Sequence, residues 1–224
     1  MSLQHGSIES FFLEGEAGRL EALLNLGTPE ARYACVVCHP HPLYGGTMHN
    51  KVVFHAMKEL NGFGFPVLRF NFRGVGSSAG RHDYGHGEIT DAKVALDYLA
   101  QRFPLPIIFA GFSFGSAIGL RAAVPHPRVE ALIAMGVPVN ADGREYTYAL
   151  LGETEQPKLL LSGANDEFAT PSQLAQVFAS AAEPKRLVVI PGADHFFAGH
   201  LKEMRAALGG WVREITVPKI VPAV

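Results

Sequence analysis

Gly111-Phe112-Ser113-Phe114-Gly115 decides how this chain is read. Ahead of it runs Leu105-Pro106-Ile107-Ile108-Phe109-Ala110, an apolar stretch with the length and content of a buried strand. Behind it runs Ser116-Ala117-Ile118-Gly119-Leu120-Arg121-Ala122-Ala123, a helix of small and apolar residues. A serine between a buried strand and a helix, with glycine two places to either side, is the G-x-S-x-G nucleophile elbow. The spacing has a steric reason. The turn is tight enough to strain the serine backbone, and side chains at 111 and 115 would strike the neighbouring strand and helix. Ser113 Oγ is then left at the carboxyl end of the strand. The first N–H groups of the helix point at whatever that oxygen attacks.

Working outward, Ile8–Leu13 and Arg19–Leu26 flank Glu14-Gly15-Glu16-Ala17-Gly18 and read as a hairpin of two antiparallel edge strands. Residues 33–38 are apolar throughout, as a strand covered on both faces should be. A proline- and glycine-shaped loop, 39–50, leads to a helix over roughly 48–61. Further strands are predicted at 66–72, 129–138, 158–163 and 186–191. Helices are predicted at 88–102, 171–182 and 199–214, with a short helix within the polar stretch 139–156. Strand–helix alternation implies an α/β fold: a mostly parallel central sheet of about eight strands, helices on both faces. Its site belongs outside the carboxyl ends of the strands. Residues 1–224 read as one domain, with 215–224 as a tail that the pattern does not place.

The chain has 224 residues, 48% hydrophobic and 18% charged, with a net charge of −2. That balance excludes disorder, and its scattered basic residues offer no nucleic-acid or membrane surface. The N-terminus lacks a basic region and an apolar core, so the expected location is cytoplasmic. The two cysteines, Cys35 and Cys38, are spaced C-x-x-C. On a strand an odd spacing puts them on opposite faces, so they read as buried structural thiols and not as a redox pair.

A serine hydroxyl needs a base, usually histidine. Of ten histidines, His195 follows the last strand in Pro191-Gly192-Ala193-Asp194-His195-Phe196-Phe197 and is the expected base. His82, His86 and His126 lie in loops with no partner visible in the sequence, and His200 reads as a surface or capping residue. His39 and His41 form an H-x-H, read as part of a shaped proline loop because no carboxylate cluster supports a metal. The acid that orients the imidazole is Asp166, after the penultimate strand, giving the chain order Ser, Asp, His. Its rivals are Glu167, Asp142 and Asp194; Asp91 and Asp97 lie on a helix and are expected to cap it or face solvent. The oxyanion hole needs two N–H donors. Phe114 is one. Pro40 and Pro42 have none, so His41 is the second, with Leu43 or Tyr44 as substitutes. Gly45 and Gly46 would let the backbone approach a substrate.

With these residues in place the chain resembles an α/β-hydrolase. The elbow, the acid loop Gly163-Ala164-Asn165-Asp166, the histidine loop Gly192-Ala193-Asp194-His195 and Phe72-Arg73-Gly74-Val75-Gly76-Ser77-Ser78 follow that superfamily's frame along nearly the whole chain. Cys38-His39-Pro40-His41-Pro42-Leu43-Tyr44-Gly45-Gly46 with Met48-His49-Asn50-Lys51 is similar to a branch of small, dienelactone-hydrolase-like bacterial proteins. True dienelactone hydrolases use a cysteine nucleophile, where this chain has Ser113. The resemblance implies ester-type chemistry with no metal or organic cofactor. The usual His-Gly before the oxyanion donor is His39-Pro40 here. About twenty residues separate Pro138 from Pro157, too few for a helical cap domain. An open site is therefore expected, with Tyr44, Leu43, Phe168 and Phe196 bordering an apolar acyl pocket. Phe112 reads equally well as packing under the elbow. The expected activity is a serine carboxylesterase on small to medium acyl esters. Thioesters, lactones or short peptides are the alternatives, and a catalytically silent binding module is the reading from another class. The partner is a small-molecule ester, and the tail leaves a homodimer open.

Overall fold

A run of apolar residues too short for a helix can be buried on both faces only inside a sheet, and the core strands follow that rule. In the computed structural model, which describes residues 7–141 and 143–216, β3 (Ala34–Cys38), β4 (Val67–Phe70) and β5 (Ile107–Phe112) are buried at every position. The opening hairpin is β1 (Ile8–Gly15) and β2 (Gly18–Asn25), paired antiparallel from Ile8 against Asn25 to Gly15 against Gly18. It joins β4, also antiparallel. β6 (Val129–Met135) follows β5, β7 (Asn140–Ala141) and β8 (Arg144–Glu145) form a separate small hairpin, and β9 (Lys158–Gly163) and β10 (Lys185–Ile190) complete the main sheet. The eight strands run in the order β1-β2-β4-β3-β5-β6-β9-β10, and every neighbouring pair from β4 to β10 is parallel.

Two apolar layers sandwich this sheet. α1 (Lys51–Asn61) and α5 (Leu201–Thr216) cover one face, packing on Cys35, Val37, Ile108 and Ile133. α2 (His86–Arg102), α3 (Phe114–Ala123) and α4 (Pro171–Ser180) cover the other, packing on Val36, Cys38 and Phe109. Cys35 and Cys38 thus belong to opposite layers, fully buried, with burial pushing both thiols well above their ordinary range. They are packing residues, as the odd spacing requires.

Strand order reverses around β3: the chain leaves it for β4 on one side and returns to β5 on the other. The loops after β3 and β5 diverge there and open a crevice at their carboxyl ends.

Three expectations change. The short helix within 139–156 is instead the β7–β8 hairpin followed by a single 3₁₀ turn, Ala149–Gly152. Tyr148 Oη anchors it by donating to Pro138 O at 2.7 Å, and no separate cap domain stands there among the described residues. Asp91 neither caps α2 nor faces solvent. It is wholly buried and holds Arg73 through both carboxylate oxygens. α1 also starts at Lys51 and not at 48, because Asn50 caps it by accepting from Val52 N–H at 2.9 Å. Asp142 and the tail 217–224 lie outside the described residues.

Candidate active site

β5 delivers Ser113 at its carboxyl end with φ 54° and ψ −123°, a conformation L-residues rarely adopt. The flanking glycines are forced by backbone. A Cβ on Gly111 would lie 2.5 Å from Gly115 O, and one on Gly115 would lie 2.5 Å from His39 O. The start of α3 therefore rests directly on the end of β3. Ser113 N–H donates to Met135 O at 2.9 Å, and the buried Ser116 Oγ accepts from Met135 N–H at 3.1 Å. The strained turn is tied to β6 at both of its ends.

β10 ends in the loop that carries His195, and β9 in the loop that carries Asp166. His195 Nε2 lies 2.9 Å from Ser113 Oγ, and His195 Nδ1 lies 2.9 and 3.0 Å from the two Asp166 oxygens. Asp166 also accepts from Ser162 Oγ at 3.0 Å and Phe168 N–H at 2.9 Å. It is 4% exposed and His195 1%, so the carboxylate is out of water yet bonded on every side. Rings of Phe168, Phe112 and Phe196 stand 4.5, 5.0 and 5.1 Å from the imidazole and fix its plane. An imidazole bonded to a carboxylate through one nitrogen and to a hydroxyl through the other can take the hydroxyl proton. Of the rival acids, Glu167 is exposed and Asp194 accepts from Ala198 N–H at 2.8 Å.

The loop after β3 is fixed from beneath. His39 Nδ1–H donates to Pro40 O at 2.6 Å, and its Nε2 accepts from Phe72 N–H at 3.0 Å. Both ring nitrogens are used, so the H-x-H reads as a clamp between β3 and β4. Met48 is gripped twice, its N–H by Asn71 Oδ1 at 2.8 Å and its carbonyl by Arg69 Nη1 at 3.1 Å. Leu43 N–H donates to His41 Nδ1, and the N–H groups of Tyr44 and Gly46 to His41 O. The two substitutes considered for the oxyanion hole thus spend their N–H groups inside the loop, and the candidate pair stays Phe114 and His41. The Gly46 Cα packs on the Pro40 carbonyl, which leaves no room for a side chain, and Gly45 and Gly46 both line the space over Ser113.

A cavity of about 240 Å³ opens over Ser113, lined by His41, Tyr44, Phe114, Tyr146, Phe168 and Phe196 among others. Leu43, 64% exposed, is not among its lining residues. Tyr146 is, although nothing in the polar stretch around it singles it out. Ser162 was also missed. A serine inside the apolar run Leu159-Leu160-Leu161-Ser162 was the available signal, since a buried hydroxyl must find a partner. His82 and His126 have partners that sequence could not show. His82 Nδ1 lies 2.7 Å from the buried Glu88 carboxylate, with its ring 4.8 Å from that of His41, and His126 Nε2 lies 3.4 Å from Asp97.

Burial holds the His39 imidazole neutral, lowering its pKa to about 4. Unfolding frees it to titrate at its ordinary value of about 6.5. The resulting stability is complete above about pH 6.5 and is lost as pH falls towards 4, on the order of 3 kcal/mol in all. Urea unfolding of wild type should weaken over that window. His39→Gln, which keeps a donor and an acceptor but does not titrate, should show a flatter slope there; an identical slope would remove His39 from the account.

The family described as the alpha/beta hydrolase domain matches residues 36–207. The chain belongs to the α/β-hydrolase family. This α/β-hydrolase is 35% identical over 208 residues to the uncharacterized protein RP471 of Rickettsia prowazekii, covering 90% of this chain and 87% of that one. Among solved structures it is similar to an alpha-beta serine hydrolase homologue from Coxiella burnetii, with 37% identity and a TM-score of 0.81, over 91% of this chain and 97% of that one. It is equally similar to XC6422 from Xanthomonas campestris, described as an a/b serine hydrolase without lid. There the identity is 32% and the TM-score 0.81, and the whole of both chains is covered. Sheet order and relatives agree on a small, lidless bacterial branch of the α/β-hydrolases. Among the described residues, no helix of this hydrolase is long and apolar enough to cross a membrane.

Proposed function

We propose that this α/β-hydrolase is a serine carboxylesterase for small to medium acyl esters, with Ser113, His195 and Asp166 as its triad. The observation that carries the reading is the continuous line of hydrogen bonds from Ser113 Oγ through His195 to the buried Asp166. His195 takes the Ser113 proton on Nε2 as Oγ attacks the ester carbonyl. The N–H groups of Phe114 and His41 hold the tetrahedral oxyanion. His195 then returns the proton to the leaving alcohol, and the acyl group stays on Ser113. Water attacks that ester by the same steps, giving the acid and restoring the serine. A cavity of about 240 Å³ is smaller than those that enclose drug-sized ligands, about 300–1,000 Å³, and its aromatic lining suits a short acyl chain.

Initial rates on p-nitrophenyl esters from acetyl to octanoyl, together with labelling by a fluorophosphonate, test the proposal. The expected result is stoichiometric labelling of Ser113 and a kcat/KM optimum at short acyl length. Labelling without ester turnover would move the assignment to thioesters or lactones. Neither labelling nor turnover would leave the fold as a binding module.

A further inference from the structure

Beside the cavity over Ser113 lies a second hollow of about 530 Å³, between the 47–52 segment and the 196–201 loop. The two share Asn50 and Phe196. Their chemistry differs. The first is lined by no Asp, Glu, Lys or Arg. The second is lined by His49 and Lys51 and by no carboxylate.

The positive charge of this hollow has further supports. Residues 39–52 contain no acid at all. Among the described residues no Asp or Glu lies within ion-pair distance of Lys51. Asp194, the one acid of the 191–200 loop, is not among the residues that line the hollow. Directly behind the 47–50 wall sits Arg69, 3% exposed, bonded only to the neutral oxygens of Met48 and Asn25, with Nε left without a partner. A buried guanidinium lacking a counter-charge projects its field to the nearest surface with little screening. The amino end of α1 opens on the same wall and adds to that field.

The position of the hollow says which part of a substrate meets it. The leaving oxygen must reach His195 Nε2 to collect its proton. Phe196, the next residue, stands edge-on to the imidazole at 5.1 Å and forms the wall common to both hollows. A leaving group that extends from His195 towards the second hollow crosses Phe196, the wall the two share.

We infer that the natural substrates are esters or thioesters of small uncharged acids whose leaving group carries a carboxylate or phosphate, held at Lys51 in this second hollow. The inference rests on the esterase reading and deepens it.

The test compares 4-acetoxybenzoate with its methyl ester, which differ in charge at the far end of the leaving group. A third substrate, 4-acetoxyphenyl phosphate, separates phosphate from carboxylate. Wild type should favour 4-acetoxybenzoate over the methyl ester by about tenfold in kcat/KM at low ionic strength. The ratio should fall to about twofold in 0.5 M NaCl. Lys51→Glu, at an exposed first position of α1 where an acid suits the helix, should bring the ratio to one or below. Equal rates on the charged and neutral esters in wild type would overturn the inference while leaving the esterase standing. An undiminished ratio in Lys51→Glu would overturn the placement at Lys51. Failure of all three substrates would instead overturn the esterase reading, and the inference with it.

Discussion

Replacing Ser113 by alanine should lower kcat/KM on p-nitrophenyl acetate by at least about 10⁴-fold and abolish fluorophosphonate labelling. Triad members act as a unit, so no neighbouring hydroxyl inherits the role. Ser116 Oγ is buried and bonded to Gly111 O, and Ser162 Oγ is bonded to Asp166. Retained turnover in Ser113→Ala would sink the assignment. A companion variant makes the same position report on strain. At φ 54° and ψ −123° serine and alanine carry the same backbone penalty, of about 1–3 kcal/mol. Glycine escapes it, at a cost of about 0.5–1 kcal/mol in unfolded-chain entropy. Ser113→Gly should therefore be as inactive as Ser113→Ala yet about 1 kcal/mol more stable. For a chain of this size that is a rise of about 2–4 °C in thermal midpoint. A glycine variant melting below the alanine variant would mean that the elbow stores no strain, and that the glycine spacing serves only the contact of α3 with β3.

What the sequence revealed and what it hid divide along a physical line. Ser113, Asp166 and His195 were legible because each sits just past an apolar strand, and a parallel sheet gathers all such positions at one edge. The opening hairpin and the parallel run of the central strands followed from alternation in the same way, whereas the order of strands across the sheet did not. The contents of the loops did not. Tyr146 reaches the cavity from a hairpin whose strands are two residues each, too short to leave any period in the sequence. Leu43 stands beside Tyr44 in the chain but faces outward, because the loop turns through a 3₁₀ segment at Pro42–Tyr44. Asp91 was misplaced for another reason. An acid on an amphipathic helix ordinarily faces water, and nothing in α2 reveals that an arginine 18 residues earlier comes to meet it.

That pair carries the largest stability effect expected in the chain. Arg73 donates to Asp91 from its backbone N–H at 2.9 Å, from Nε at 3.1 Å and from Nη2 at 2.8 Å, with side chains 8% and 0% exposed. Asp91→Ala would strand a guanidinium whose other contact, Glu16 at 3.7 Å, is mostly in solvent. A loss of about 3–5 kcal/mol in urea unfolding is expected. Lys93→Ala, on the same helix and in an exposed pair with Asp97, should cost under about 0.5 kcal/mol. The contrast does not make the buried pair a net source of stability. Burial pushes the Asp91 carboxyl up further than its bonds to Arg73 pull it down, although Arg73 itself is favoured as a cation by the pairing. The carboxylate decides, being the more buried partner. A carboxyl whose folded pKa is raised contributes stability that is complete below its unfolded value and lost as pH rises through the folded one. At neutral pH the charge is thus held at a cost. The double variant Arg73→Leu/Asp91→Leu should accordingly recover part of the loss seen in Asp91→Ala. It should not recover all of it, because the residue 73 N–H would still be buried without its acceptor, at about 1–3 kcal/mol. What the pair secures is placement. It anchors the start of the 73–85 loop, while Glu88 holds the loop's far end by accepting from Asp83 and Gly85 N–H at 2.9 and 2.8 Å. Between those anchors His82 lies with its ring against that of His41. If placement is the role, the double variant should refold stably but show a lower kcat on p-nitrophenyl acetate than wild type. Full activity together with full stability would mean that the pair is dispensable to both.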